Sequence, residues 1–242
     1  MRPPDWRTSW SHLPLDKGEW ISELWHCKDL DTMESGLTLV TNKHRVQAIG
    51  YYSKPLKSSI RLVAVLGPQP RRLYYDADYG IETHGIDPAD WPWQPPLGAG
   101  LSPRKRLRPP RSPTPRSPAP RFPMTSFCFT RACLEGVSGV AVCQIGAVVS
   151  GLILSYAKGH RECVGNIRTD CLRRPVPVGP ATEFWLVVST VKPGKLQATA
   201  VDFDHYPPGD TRIPWEGVLE WWQAGTQARI YHEGREIRPF DD

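Results

Sequence analysis

The chain has 242 residues, of which 40% are hydrophobic and 23% are charged. This balance is typical of a folded globular protein and excludes a chain that is disordered along most of its length. The net charge of +5 is concentrated in residues 98–126, which carry seven basic side chains and no acidic one. Because the rest of the chain is slightly acidic, the charge does not predict a nucleic-acid-binding surface, and nucleic acid is not an expected partner.

Residues 1–17 are predicted to form an N-terminal arm. They contain no continuous apolar stretch, so no signal peptide is expected. Without such a signal, the six cysteines are expected to be reduced thiols in the cytoplasm or the nucleus, since disulfides form mainly in oxidising compartments.

An internal repeat organises the chain into two related halves, residues 18–87 and residues 125–242. Residues 19–27 (EWISELWHC) align with residues 135–143 (EGVSGVAVC), and residues 35–50 (SGLTLVTNKHRVQAIG) align with residues 150–165 (SGLILSYAKGHRECVG). Nine of the 25 aligned positions are identical, which predicts a duplication. Each copy shows period-two alternation followed by a turn and a closing glycine, as in a β-hairpin.

The repeat also decides how the uncharged run from Gly136 to Ala157 is interpreted. The run has about the length of a membrane span, but the matching stretch of the first copy carries several acidic side chains, which a bilayer core would exclude. Two β-strands are therefore predicted here, and no membrane association is expected.

Further strands are predicted on both sides of the chain's centre. They comprise residues 59–67, 71–77, 183–204 and 217–237, with a turn at Lys192–Lys195. For the Trp221-Trp222 stretch within the last range, a helix is the alternative to a strand. The predicted fold class is mostly β, built as an antiparallel sandwich or a β-prism-like arrangement.

Residues 88–124 are rich in proline and arginine and are predicted to be a disordered, extended linker between the halves. A translated intron is an alternative origin for this segment. A basic cluster within it has the character of a nuclear-import patch: Arg104, Lys105, Arg106 and Arg108. Four hydroxyl residues precede proline and are candidates for phosphorylation: Ser102, Ser112, Thr114 and Ser117.

No motif for a nucleophile, a phosphate loop or a metal centre stands out, and no cofactor or metal is expected. His160 and Cys163, like Asp202 and His205, lack a second ligand pair at zinc-like spacing. Two carboxylates, Glu216 and Glu220, lie close to tryptophans in the sequence. The tryptophans are expected to pack in or beside the core, and the alternative is acid/base chemistry by the carboxylates beside a ring that stacks on a sugar. The candidate binding residues belong to the two basic turns and the tryptophan pair: Lys43, His44, Arg45, Lys158, His160, Arg161, Trp221 and Trp222.

The paired GLTL and GLIL hairpins with their closing glycines resemble β-rich repeat regions of fungal F-box-associated proteins of unknown function. Their rhythm is also distantly similar to jacalin-like β-prism lectins. This second resemblance implies a β-prism fold and sugar binding, but no glycine here is followed four residues later by the aspartate of the lectin loop. No F-box pattern precedes the first copy.

The sequence therefore predicts a non-enzymatic, intracellular, β-rich interaction module with a protein partner. A carbohydrate-binding, lectin-like module with a glycan partner is the alternative. An accessory enzyme of fungal metabolism is the third hypothesis.

Overall fold

A computed structural model describes residues 12–30, 35–50, 58–68, 73–74, 85–86, 110, 114–120, 128–192, 195–203, 211–225 and 227–239. These residues form antiparallel β-sheets and one turn of 3-10 helix, Thr169–Cys171, which confirms the mostly β fold class. The chain divides into two compact units. The first unit is residues 17–114, and the second unit is residues 1–16 together with residues 115–242.

The first unit is built on one four-stranded sheet. Its strands are β1 (Ile21–Asp29), β2 (Ser35–Thr41), β3 (Val46–Gly50) and β4 (Ser58–Val65), in the order β3-β2-β1-β4. Two short strands, β5 (Leu73–Tyr74) and β6 (Gly85–Ile86), form a separate pair.

The second unit contains three antiparallel sheets. Its strands are β7 (Cys128–Cys133), β8 (Val137–Ile145), β9 (Val148–Tyr156), β10 (Arg161–Gly165), β11 (Val176–Pro177), β12 (Trp185–Lys192), β13 (Lys195–Asp202), β14 (Thr211–Arg212), β15 (Val218–Ala224), β16 (Gln227–His232) and β17 (Arg235–Glu236). The sheet orders are β10-β9-β8-β11, β13-β12-β14 and β17-β16-β15-β7. Trp221 and Trp222 lie in strand β15 and not in a helix.

All three sheets of the second unit contribute to one hydrophobic core. Leu152 and Leu154 come from β9, Leu186 from β12, and Leu219 and Trp221 from β15, each at most 1% exposed. Because every sheet buries one face in this core, the three sheets stabilise one another through the removal of apolar surface from water.

The uncharged run from Gly136 to Ala157 contains the paired strands β8 and β9, as predicted. Both faces of this sheet are covered: Leu152 and Leu154 face the main core, while Ile153 faces a smaller cluster with Ala141 and Cys163. Because both faces are buried, the adjacent residues Leu152, Ile153 and Leu154 are all apolar. Among the described residues, no helix combines the length and apolar character needed to cross a bilayer.

The strand pairing in the β1-β2-β3 meander and that in the β8-β9-β10 meander involve residues at aligned positions of the two copies. In the first, Gly36 pairs with Gly50, and in the second, Gly151 pairs with Gly165, so the aligned glycines face each other in both. All five pairs of β2 with β3 have their aligned counterpart between β9 and β10. The register shift near the start of β1 recurs near the start of β8.

The turns that follow β2 and β9 also match. His44 and Gly159 occupy aligned positions and have φ values of 62° and 87°. The amide N–H of His44 donates to the carbonyl oxygen of Thr41 over 2.9 Å, and the amide N–H of Gly159 donates to that of Tyr156 over 2.8 Å. The left-handed conformation suits glycine and is uncommon for histidine.

Gly165 closes its meander with a backbone that a larger residue could not adopt easily. Its φ is +76°, and a Cβ atom built there would overlap the carbonyl oxygen of Ser150 on the neighbouring strand. Gly151 opposite it is equally confined, because a Cβ atom there would overlap the carbonyl oxygen of Val164. This pair lets the strands approach closely at the exit of the hairpin.

The substitution Gly165→Ala is therefore expected to lower the free energy of unfolding by about 3 kcal/mol, since strain in φ and backbone overlap act together. Gly146→Ala is the matched control: Gly146 has φ +61° but nothing within 4 Å of a built Cβ atom. It should lose only about 1 kcal/mol, from the φ strain alone. Urea denaturation followed by tryptophan fluorescence measures both. Equal losses would show that the close approach at Gly165 does not matter.

Candidate functional site

One face of the sheet β17-β16-β15-β7 lies on the side away from the main core and carries an unusual group of side chains. Trp221 of β15 points into the core, so its neighbours Glu220 and Trp222 point to the opposite face. In the register of the sheet, Glu220 lies between Tyr231 and Arg131, and Trp222 lies between Arg229 and Phe129. We call this surface, defined by these six residues, the outer face.

The carboxylate of Glu220 is 1% exposed, and the backbone of residues 115–120 supplies its partners. The amide N–H of Arg116 donates to Oε1 over 2.7 Å, and the amide N–H of Ser117 donates to Oε2 over 2.8 Å. Two successive backbone N–H groups on one carboxylate make a small anion-binding arrangement. These charge-assisted hydrogen bonds offset the cost of burying the negative charge.

Trp222 completes the contact by donating its indole Nε1–H to Ser117 Oγ over 2.9 Å. Ser117 is 5% exposed and Trp222 is 1% exposed. The Phe129 ring lies 4.6 Å from the Trp222 ring, with the planes tilted by 43°. The indole N–H therefore donates to a hydroxyl group in an environment that contains little water.

The turn between β16 and β17 holds the side chain of Arg116. Glu233 and Gly234 form a two-residue hairpin turn with φ values of 48° and 76°, as in a type I′ turn. The guanidinium NH1 of Arg116 donates to both carboxylate oxygens of Glu233 over 2.8 Å. Both side chains are about half exposed, so this pair contributes about 0–1 kcal/mol to stability and mainly selects for arginine.

Tyr231 lies beside Glu220 on the outer face. Burial raises the pKa of the Tyr231 phenol, and the negative charge of Glu236 raises that pKa further. The phenol is therefore neutral at physiological pH, and it adds an aromatic surface to the outer face without a second negative charge.

Residues 115–120 belong to the stretch that the sequence predicts as a solvated linker, residues 88–124. The structure shows that this part of the linker contacts the second unit through Arg116 and Ser117. The prediction of a solvated spacer does not hold for these residues. The nuclear-import patch, Arg104, Lys105, Arg106 and Arg108, lies outside the described residues, as do Ser102 and Ser112.

The basic turn of the first unit contacts its own unit. Arg45 NH1 donates to Glu19 Oε2 over 2.8 Å, and the side chain of Glu19 is fully buried. Thr41 Oγ1 donates to the other oxygen of that carboxylate over 2.6 Å. Lys43 and His44 are exposed, and Lys43 Nζ donates to the carbonyl oxygen of Lys17 over 3.4 Å. Arg45 is thus a structural partner of a buried carboxylate.

The basic turn of the second unit has a different chemistry at the aligned positions. The His160 ring stacks on Tyr156, with centroids 3.9 Å apart and planes 7° apart. Arg161 NH2 donates to the carbonyl oxygen of Leu15 over 3.5 Å, and Lys158 is exposed. The two predicted turns therefore share a backbone conformation and an exposed lysine, while Arg45 and His160 at aligned positions have different partners.

The predicted tryptophan pair is divided between two environments. Trp221 is 0% exposed in the main core, and its Nε1–H donates to Gln223 Oε1 over 2.7 Å. Trp222 is the member that reaches the outer face. Neither ring is exposed enough to stack on a sugar, and Glu216 is an exposed residue of the loop before β15. The two oxygens of Glu220 are engaged by backbone amides, which leaves it no acid/base role while residues 115–120 are bound.

The thiols and the described metal-ligand candidates, His160, Cys163 and Asp202, do not form a cluster, and His205 lies outside the described residues. All six cysteines are free thiols. The Cys163 thiol donates to the carbonyl oxygen of His12, and burial raises the pKa of the Cys27 thiol. Among the residues that the structure describes, no group of three or more His, Cys, Asp or Glu side chains is arranged to hold a metal ion.

Comparison with known proteins finds no family model that matches the chain, no curated protein that matches it and no solved structure that matches it. The resemblances to F-box-associated repeat regions and to jacalin-like lectins therefore stay predictions. The site rests on the geometry of the outer face alone.

Sequence reasoning missed Ser117, Arg116 and Glu233 as parts of one site. The available signal was proline spacing: within residues 113–120, Arg116 and Ser117 are the only adjacent pair that carries backbone N–H groups. Glu220, which stands in a strand whose other residues are mostly apolar, is the second signal, because a buried carboxylate needs hydrogen-bond donors.

The substitution Glu220→Gln is expected to weaken the contact with residues 115–120 by about 2 kcal/mol, because one of the two amides then meets an NH2 group in place of a charged acceptor. Hydrogen exchange at the amides of Arg116 and Ser117 should accelerate about 30-fold, as follows from that free-energy change. Glu216→Gln, which changes an exposed carboxylate nearby, should leave exchange at these amides unaltered. Unchanged exchange in Glu220→Gln would contradict the role of the carboxylate.

Proposed function

We propose that this protein is a non-enzymatic interaction module whose second unit binds extended peptide segments of the type Pro-Arg-Ser-Pro. The observation that carries the proposal is the Glu220 carboxylate, buried in the outer face and bound to two successive backbone amides of residues 115–120. In this view the chain's own segment occupies the site in cis, and a protein partner offers an equivalent segment in trans.

The contacts favour recognition of one local pattern. The carboxylate of Glu220 requires two adjacent residues with N–H groups, which excludes proline at both positions. The Trp222 indole selects an oxygen acceptor at the second position, and Glu233 selects a cation at the first. Flanking prolines keep the peptide extended, as in other grooves lined by aromatic rings that bind Pro-rich segments.

The burial of Glu220 supports an occupied site over an empty one. If residues 115–120 leave, the carboxylate loses both amide donors on a face that also carries Trp222 and Phe129. In that state water has to replace the two amides at the carboxylate, and the indole N–H of Trp222 loses Ser117 as its acceptor. The released outer face is therefore disposed to bind another peptide with the same backbone pattern.

We further infer that the two meanders descend from one duplicated unit. The identical register of β2 with β3 and of β9 with β10 supports this, together with the matching turns at His44 and Gly159. In this view only the second copy acquired the outer face, because that face is built by β7, β15, β16 and β17, which lie outside the repeat. The free thiols suit the cytoplasm or the nucleus as the site of action.

Peptide binding in trans tests the proposed function in the full chain. The sequence Pro-Arg-Ser-Pro occurs twice, at residues 110–113 and 115–118, so both copies are changed in one variant that lacks the backbone N–H groups: Arg111→Pro, Ser112→Pro, Arg116→Pro and Ser117→Pro. We call this the vacated variant. A fluorescent peptide of residues 113–122 is expected to bind it at least ten-fold more tightly than it binds the unchanged chain, because the cis segment no longer has N–H groups that compete for Glu220. Fluorescence anisotropy measures both affinities.

Two controls sharpen this experiment. Adding Glu220→Gln to the vacated variant should weaken peptide binding about 30-fold, by the loss of one charge-assisted hydrogen bond. A peptide with alanine in place of both Arg116 and Ser117 should bind more weakly than the original. No peptide binding to the vacated variant, or binding that ignores Glu220→Gln, would overturn the proposal. Selective retention on a glycan array would favour the carbohydrate alternative.

A further inference from the structure

We propose that Ser117 is a phosphorylation site whose modification releases residues 115–120 from the outer face and so opens the peptide site. This inference rests on the proposed function. Its basis is the position of one hydroxyl group: Ser117 precedes Pro118, as substrates of proline-directed kinases do, and its Oγ accepts the indole N–H of Trp222.

Binding and modification of Ser117 exclude each other. The residue is 5% exposed, and its Oγ lies against the Trp222 indole at 2.9 Å, so a kinase cannot reach it in the bound state. A kinase acts on the released segment, where Arg116-Ser117-Pro118 is extended and accessible. The segment therefore exchanges between a bound form and a form open to phosphorylation, and modification traps the second form.

The reaction is an ordinary phosphoryl transfer from a nucleoside triphosphate. A bond forms between Ser117 Oγ and the γ-phosphorus, and the bond from that phosphorus to the oxygen bridging it to the β-phosphorus breaks. The nucleoside diphosphate leaves with the electron pair, and the hydroxyl proton passes to the general base of the kinase.

The phosphate cannot return to the outer face with the rest of the segment. It adds a charge of about −1.5 to −2 at pH 7, next to the Glu220 carboxylate that holds the Ser117 amide over 2.8 Å. The two anions would then share a buried environment in which repulsion is poorly screened. The phosphate is also too large for a position that is 5% exposed with its oxygen already at hydrogen-bonding distance from Trp222.

The chain contains its own matched control. Ser112 stands in the same Pro-Arg-Ser-Pro sequence, residues 110–113, but the contacts with Glu220, Trp222 and Glu233 that the structure describes are made by the second copy. Phosphorylation of Ser112 adds the same charge to the same local sequence. An effect of Ser117 that Ser112 does not share is therefore an effect of position and not of charge.

The first experiment uses full chains with phosphoserine incorporated at position 117 or at position 112, and measures hydrogen exchange at the amides of Arg116 and Ser117. Phosphoserine at 117 is expected to accelerate exchange at the Arg116 amide about 100-fold, while phosphoserine at 112 leaves it as in the unmodified chain. Amides of β15 and β16 report whether the sheet remains folded. Slow exchange at Arg116 in the chain with phosphoserine at 117 would overturn the inference.

The second experiment needs no modified chain and holds even if phosphoserine at 117 disturbs folding. The peptide of residues 113–122 is compared with the same peptide phosphorylated at Ser117, each titrated into the vacated variant. We expect the phosphopeptide to bind at least 100-fold more weakly. Equal affinities of the two peptides would overturn the phosphorylation inference alone, whereas no binding of the unmodified peptide would overturn the proposed function.

Discussion

A carboxylate buried in a β-sheet is the constraint on which the candidate site depends. Glu220 stands in β15 between Leu219 and Trp221, which are fully buried in the main core, and it faces away from them. A charge in this position needs hydrogen-bond donors, and residues 115–120, which are distant in sequence, supply them through their backbone amides. The same interaction turns a stretch of linker into part of the folded second unit.

The two aligned segments and the alternation of apolar residues were enough to predict the fold class and the strand-turn-strand pattern of both copies, but not which residues pair across the strands. These features are local, because strand, turn and strand follow one another within 30 residues. The contact of Ser117 with Trp222 spans 105 residues, and no local pattern specifies it. The pairing of β7 with β15 joins residues that are also far apart in the chain, from Cys133 with Val218 to Cys128 with Gln223, and was likewise beyond prediction.

The meanders also show how one backbone supports different chemistry. At one aligned position Arg45 forms an ion pair with the buried Glu19, whereas His160 stacks on Tyr156 in the second copy. Glu135, the counterpart of Glu19, is exposed. The turns keep the same hydrogen bonds, so the conformation is set by the backbone and the side chains are free to differ. The presence of basic residues in both turns is therefore not by itself evidence that the turns bind the same ligand.

Proline explains why one segment can be both a spacer and a ligand. Three of the six residues 115–120 are prolines, and each has φ fixed before binding, so ordering the segment loses less conformational entropy than ordering a flexible chain would. The prolines also remove N–H groups, which leaves Arg116 and Ser117 as the adjacent donors that fit Glu220. Few contacts are then sufficient to hold the segment. An association held by so few contacts is also one that a single phosphate group can reverse.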